Sequence, residues 1–352
     1  MRLLWVFLGV SAWAQVTYPG KDWQRAKPED LGYSSAKLEA LRGWLKTQKT
    51  TALHVSVDGR VLFEHGDTAL VSKVASVRKS ILAMLFGNYF QSGKADPART
   101  VEELGLQDVE PFLAIERNAT LLHLLTARSG IYHASGNEEL TSASPRRGAQ
   151  APGTYMQYQN WDFNAAGTAF EKISGKDIFA ALEADLAKPI GMQDFDIGKQ
   201  KRNSSLPDSV HPEYAMYLST RDMARAGLLM LADGAWGERQ VMPKGWAGRI
   251  TTLVTPHNEM HPVPLSMRTR SGLWGYGMLW WVWDAPNWSQ IVTGPFQGAY
   301  SAMGAFGQYI AVLPAMRMVI AHKVDFEKDG TPQVSPGEFH AILQMLIESH
   351  VD

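Results

Sequence analysis

ASVRKSILAMLFGNYF, residues 75–90, decides how the chain is read. From Ile81 onward it is apolar on nearly every face, the pattern of a helix buried on all sides. Yet Ser76, Arg78 and Lys79 crowd its first turn. Positions i and i+3 share a helix face, so Ser76 and Lys79 can touch. An unassisted hydroxyl is a poor nucleophile and needs an adjacent base. A lysine can be that base only when neutral part of the time, and burial in an apolar helix favours the neutral form. The helix start also offers unpaired N–H groups and the positive end of the dipole, both favourable to a developing oxyanion. A simple N-cap at Ser76 fits the same letters equally well. Ser-x-x-Lys recurs at Ser34–Lys37, ahead of an exposed amphipathic helix, where capping is the better reading.

A second element separates the two copies. APGTYMQYQNWDFNAAG, residues 151–167, holds Tyr158-Gln159-Asn160 four residues after Pro152-Gly153. A tyrosine phenol can relay a proton between nucleophile, lysine and leaving group, and an Asn amide can bond both lysine and a substrate carbonyl. Standing alone, a loop tyrosine beside an Asn helix cap would explain these residues.

Together, Ser76-x-x-Lys79 and Pro152-Gly153-x4-Tyr158-x-Asn160 resemble the class C β-lactamase and DD-peptidase superfamily of serine hydrolases. LLHLLTARSGI (121–131) resembles that family's Leu-Leu-Thr-x-x-Ser-Gly segment. Residues 170–192 and 217–231 are similar to family helices, and FGQYIAVLP (306–314) to its inner strand. The resemblance implies Ser76 as nucleophile, Lys79 as its base partner, Tyr158 as proton relay and Asn160 as a contact to lysine and substrate. It implies an oxyanion hole from the backbone N–H of Ser76 and of Ala305, with Gly304 allowing close backbone approach. The third motif departs from the pattern. Ala302-Met303-Gly304 stands where β-lactamases and peptidases carry Lys-Thr-Gly or His-x-Gly, so no cation is left there for a substrate carboxylate. That variant is closer to the esterase and nylon-oligomer (6-aminohexanoate-dimer) hydrolase branch. The first side chain of the motif, Ala302, is expected to point into the cleft.

Around these motifs the chain is ordered. Ser34 or Ser35 can cap a first helix through Leu38, Leu41 and Leu45, and ALHVSVDGRVLFEHG around Asp58-Gly59 reads as a hairpin. Helix signals dominate from about 106 to 250, with Thr120 as one cap and a capping box at Ser219–Asp222. GYGMLWWVW, GQYIAVLP and MRMVIAHKV read as strands, and a helix from Glu338 to Ser349 closes the chain. The expected fold is α/β (α+β): one antiparallel sheet from both chain ends, flanked by helices, with an inserted mainly helical lobe. The α/β lobe covers about 32–105 and 250–352, the helical lobe about 106–249, all within a single domain of 15–352.

Composition sets the outer limits. The 352 residues are 45% hydrophobic and 20% charged, with formal net charge −1, so nothing points to nucleic acid or an anionic membrane as partner. Absence of cysteine excludes a disulfide, a thiolate nucleophile and a cysteine metal site. Residues 1–14, with one Arg, an apolar run and Ala12-Trp13-Ala14, read as a signal peptide, too short to span a bilayer. A periplasmic or secreted location follows from that reading. His257 and His261 stand four apart like a zinc pair, but Pro256 and Pro262 bracket them, so a polar loop is the better reading and no metal is expected. Trp280, Trp281 and Trp283 read as core, with Tyr276 or one Trp edging the cleft. No Gly-x-Ser-x-Gly elbow or phosphate-binding glycine loop occurs. The sum is an exported serine hydrolase taking a small-molecule ester or amide through an acyl-enzyme, without a cofactor. A β-lactamase or DD-peptidase is the enzymatic alternative, and a catalytically silent binding or sensor module the alternative of another kind.

Overall fold

The computed structural model describes residues 16–137, 144–203, 206–261, 273–284, 294–328 and 330–351. The signal reading at 1–14 lies outside them. A seven-stranded sheet organises the molecule. Its strands are β1 (Ala52–Val57), β2 (Arg60–Gly66), β3 (Trp274–Tyr276), β4 (Trp281–Trp283), β5 (Tyr300–Gly304), β6 (Gln308–Leu313) and β7 (Met318–Lys323). They lie in the order β2-β1-β7-β6-β5-β4-β3, every neighbouring pair antiparallel. The junction of β1 with β7, Ala52 opposite Lys323 and Val57 opposite Met318, joins the N-terminal hairpin to the C-terminal strands. The hairpin turn is made by Asp58 and Gly59 at φ +50° and +76°. Two consecutive left-handed residues match the twist of the strands, and a side chain at Gly59 would meet the Thr17 carbonyl.

GYGMLWWVW is two strands, not one. Leu279 takes φ +61° and turns the chain back, so Trp281 pairs with Tyr276 and Trp283 with Trp274. An apolar run hides such a turn: Gly277 opens the connection, but the left-handed position itself is filled by a leucine.

The longer helices and one short one are α1 (Ser35–Leu45), α2 (Val77–Gln91), α3 (Leu121–Leu125), α4 (Asn160–Ser174), α5 (Thr220–Leu231) and α6 (Pro336–Glu348). One face of the sheet carries α6, with Tyr309 stacked on Phe339 at 4.0 Å between ring centres, and α1 packs against α6. The other carries α5, which lies so close that a Cβ on Gly227 would come within 2.5 Å of Val319 and 2.9 Å of Ile310. Helix α5 falls in the range 106–249 read as the helical lobe, but it packs on β7, β6 and β1. Its capping box is half formed. Ser219 accepts from the Asp222 N–H, while the Asp222 carboxylate accepts from the N–H groups of Gln193 and Asp194.

Helix α2 runs through the middle, touching β5 and β6 on one side and α4 on the other. Ile81, Leu82, Leu85 and Phe86 are buried on all its faces, and Phe86 meets Phe170 of α4 edge-on at 5.1 Å. Each such side chain withdrawn from water contributes roughly 1.5–3 kcal/mol. The helix is therefore a fixed spine for whatever its first turn carries.

The helical region is knit by charge as well. Glu116 is wholly buried and accepts from the Leu113 N–H at 2.8 Å and from Arg147 Nη2 at 2.7 Å. Burial by itself would raise its pKa, but His133, Arg147 and the Leu113 N–H outweigh it and bring the group from 4.5 to about 2. A depressed folded pKa gives stability that is complete above the unfolded value and lost as pH falls toward the folded one. Acid unfolding should therefore include a Glu116 component between about pH 4.5 and 2, worth on the order of 3 kcal/mol. Glu116→Gln should lower stability at pH 7 and flatten the slope of stability against pH in that window, read by denaturant titration at several pH values. An unchanged slope would remove Glu116 from the account. His133 is shifted the other way, raised by Asp108 and Glu116 against its burial. Its contribution is complete below its unfolded pKa and fades as pH rises through the folded one.

Candidate active site

Two strands and a strained turn aim Ser76. Ser72–Lys73 pairs with Tyr217–Leu218, and the Val74 N–H bonds the Met216 carbonyl at 3.0 Å. Ala75 then takes φ +46°, a left-handed conformation that costs a residue with a Cβ of order 1–3 kcal/mol. The chain enters α2 immediately afterwards. The Ser76 hydroxyl makes no capping bond to the helix. It meets Lys79 Nζ at 2.9 Å instead.

Lys79 is buried, 2% exposed, and also donates to the Tyr158 hydroxyl at 3.0 Å. Its ammonium group lies 4.3 Å from the centre of the Phe163 ring. Ser76 and Tyr158 are each only partly buried, while Lys79 between them is withdrawn from solvent. The second Ser-x-x-Lys behaves differently. Ser34 accepts from the Lys37 N–H as an ordinary cap, and Lys37 Nζ turns away to the Glu348 carbonyl at 2.7 Å.

The loop before α4 is clamped from both sides. The Gln157 N–H bonds the Ala127 carbonyl at 2.8 Å, and the Tyr158 N–H bonds the His261 carbonyl at 2.7 Å. Gln159 Nε2 donates to the Ile131 carbonyl. The segment 121–131 supplies this anchorage: Ser129 Oγ donates to Asp162 in the first turn of α4 at 2.6 Å and accepts from the Ile131 N–H at 3.0 Å. Tyr158 packs against Phe163 at 4.8 Å, Trp281 at 5.5 Å and Tyr276 at 5.8 Å between ring centres. Tyr276 and Trp281 thus support the tyrosine from beneath, while Trp280 is fully buried core. Asn160 is the first residue of α4, partly buried, with Gln159 at the N-cap position.

Gly304 ends β5 against the nucleophile turn. A Cβ there would lie 2.7 Å from the Val74 carbonyl oxygen and 3.1 Å from Ser76 N, a gap only glycine fits. Ala305 follows, exposed, at the turn into β6. Ala302 departs from expectation. It shares the Gly304 face of β5, opposite Ile310, and is wholly buried, so its side chain does not line an open cleft. No cation enters from this strand position.

Lys323 was not singled out from sequence. It ends β7, is 1% exposed, and donates to the carbonyls of Ser72 (2.9 Å) and Leu218. Burial lowers its pKa from 10.5 to about 7. It ties the sheet to the strand pair that leads into Ser76. The only signal was a lysine at the end of an otherwise apolar strand. His257 and His261 do not form a metal pair: His257 bonds Asp284 at 2.9 Å and His261 stacks on Tyr155 at 4.4 Å. Among the described residues no cluster suited to a metal ion occurs, and no helix is long and apolar enough to cross a membrane.

Sheet, central helix and the Ser–Lys–Tyr cluster define one class. The chain belongs to the beta-lactamase family, whose model matches residues 45–325, and members of that superfamily are serine hydrolases. Among solved structures it is similar to a Bacillus anthracis protein provisionally assigned as a 6-aminohexanoate-dimer hydrolase, at TM-score 0.63 and 18% identity, over 95% of this chain and 89% of that one. EstCE1, a hydrolase with promiscuous acyltransferase activity, aligns at TM-score 0.63 and 12% identity, over 92% and 99%. A penicillin-binding protein homologue from Caulobacter crescentus aligns at TM-score 0.63 and 13% identity, over 90% and 98%. Likeness at these identities is likeness of fold. An uncharacterized protein of Alkalihalophilus pseudofirmus is 27% identical over 121 residues, and the match spans 34% of this chain and 32% of that relative.

Proposed function

We propose that the chain is an exported serine hydrolase that forms an acyl-enzyme on Ser76 from a neutral carboxylic ester or small amide. One observation carries the proposal: Lys79 Nζ stands between Ser76 Oγ and the Tyr158 hydroxyl, at 2.9 and 3.0 Å. In its amine form Lys79 takes the Ser76 proton as Oγ attacks the carbonyl carbon. The oxyanion is held by the N–H groups of Ser76 and Ala305, which Gly304 brings close to the nucleophile turn. Tyr158 passes the proton to the departing alcohol or amine. Water then adds to the acyl carbon, and Ser76 recovers its proton as the acid leaves. Asn160, at the start of α4, is assigned to the substrate carbonyl. No cofactor enters this sequence. The 6-aminohexanoate-dimer hydrolase and EstCE1 neighbours support an ester or amide substrate.

β-Lactamase or DD-peptidase activity is the alternative, and Arg128 is the feature that favours it. Its Nε donates to the Gly153 carbonyl at 3.0 Å and Nη1 to Thr255 at 2.6 Å, beside the loop carrying Tyr158. A partly desolvated charge-assisted contact is worth roughly 1.5–3 kcal/mol, or ~10- to 150-fold. Without a cation at Ala302, the enzyme should prefer neutral nitrophenyl esters over matched esters bearing a free carboxylate by at least ~10-fold in kcat/KM. Nitrocefin should turn over poorly. Preference for the anionic ester, strongest at low salt, would assign Arg128 the carboxylate and restore the β-lactamase or peptidase reading. Inertness of well-folded protein toward esters, a small amide and nitrocefin would favour a binding module.

A further inference from the structure

Phe306 is the one exposed aromatic residue among those described, at 38%. It also takes φ +64°, a conformation rare for a bulky side chain. Its ring stacks on Phe326 at 4.6 Å and an interplanar angle of 21°, and Phe326 is itself only partly buried. The positive φ belongs to the β5–β6 hairpin, which Phe306 and Gly307 (φ +102°) close between Gly304 and Gln308, but that turn does not require an exposed aromatic ring stacked on a second one.

Two independent routes through the chain place this pair beside Ser76. Phe306 stands two residues beyond Gly304, whose Cβ position is 3.1 Å from Ser76 N. Phe326 precedes Glu327, which accepts from the Tyr217 hydroxyl at 3.1 Å, and Tyr217 pairs with Lys73, three residues before Ser76. The turn is fixed from behind, where the Phe306 carbonyl accepts from the Val334 N–H and a Cβ on Gly307 would strike Val324 and Val334. A rigid apolar shelf thus adjoins the nucleophile turn and the Ala305 N–H.

We propose that the Phe306–Phe326 pair is a substrate subsite that selects esters or amides carrying a planar or extended apolar group next to the scissile carbonyl. The inference rests on the acyl-enzyme reading of Ser76 and adds the class of substrate. The shelf touches substrate only outside the reacting atoms, so it sets preference and not the chemistry. An aromatic group laid on the stacked rings gains both burial and a ring contact, which the acetyl group of a small substrate cannot reach.

The test uses two ester series with the full chain: one alcohol with acetyl, hexanoyl and phenylacetyl groups, and acetates of ethanol, hexanol and benzyl alcohol. Wild type should favour the larger apolar member in at least one series. Phe306→Ala and Phe326→Ala should each reduce that preference by about 10-fold, leaving the smallest ester unchanged. Phe306→Leu should retain most of it on the aliphatic members. A fluorophosphonate with a small alkyl group, which labels Ser76 without needing the shelf, should react with all variants at the wild-type rate. Loss confined to one series supports the subsite and identifies the side of the ester it binds. Normal labelling with no change in preference overturns the shelf and leaves the acyl-enzyme reading standing. An equal loss on every ester, smallest included, overturns it in favour of a role in shaping the turn. Failure to label Ser76 in folded wild type overturns both.

Discussion

Replacement of Ser76 by alanine is expected to abolish covalent labelling and to lower ester turnover by ~10³-fold or more, the scale of a lost nucleophile. A fluorophosphonate should add one mass increment to the wild-type protein, carried by the peptide that holds residues 75–90. Fluoride leaves as Ser76 Oγ bonds to phosphorus. Folding should survive, because the Ser76 hydroxyl makes no helix cap whose loss would fray α2. Labelling that persists in Ser76→Ala and maps to Ser34 would assign the chemistry to the other copy of the motif. The geometry argues against that outcome, since Lys37 Nζ is directed to the Glu348 carbonyl.

Lys79→Ala and Tyr158→Phe should each lower kcat by ~10² or more with little change in KM, because both groups handle the proton and neither is needed to hold the substrate. Tyr158→Phe keeps the ring that packs on Phe163, Trp281 and Tyr276 and removes only the hydroxyl. It is therefore the cleaner variant. Lys79→Ala also opens a cavity under Phe163, so its stability must be measured beside its rate. A fall in kcat/KM that comes wholly from KM would make both residues parts of the binding wall. That result would end the proton-relay mechanism even if Ser76 were labelled.

Local patterns carried most of the architecture. Asp58-Gly59 marked its hairpin because two left-handed residues in succession have few other uses. Ser34 and Thr120 stand at helix starts and accept the bonds that their side chains suggest, while the last helix begins two residues earlier than read, at Pro336 behind the Ser335 cap. Helix α2 was legible because a run apolar on all faces has no place but the interior. What sequence concealed depends on contacts between distant segments. The turn at Leu279 sits in an unbroken apolar run, and the Ser80 hydroxyl that holds its carbonyl at 2.6 Å comes from another part of the chain. Asp222 looked like the second half of a capping box until residues 193 and 194 arrived to take its carboxylate. Burial of Ala302 follows from the register of β5 with β6, which no motif encodes. The cluster of Ser76, Lys79 and Tyr158 was legible as a list of residue types. Its distances required the clamp on Gln157–Gln159 and the strained turn at Ala75.

The seam between β1 and β7 has a bearing on when the molecule can first work. Ser76 leaves the ribosome with most of the sheet still untranslated. Its turn is held against Gly304, and through Ser72 it is tethered to Lys323, residues made more than two hundred positions later. Pairings that distant close slowly, since the loop entropy must be lost before the contacts compensate it. A nascent chain halted before β5 thus carries the serine and the lysine without the frame that aims them. Hydrolytic competence on a translating ribosome should appear as a late step, after β7 has docked, and not grow in proportion to chain length.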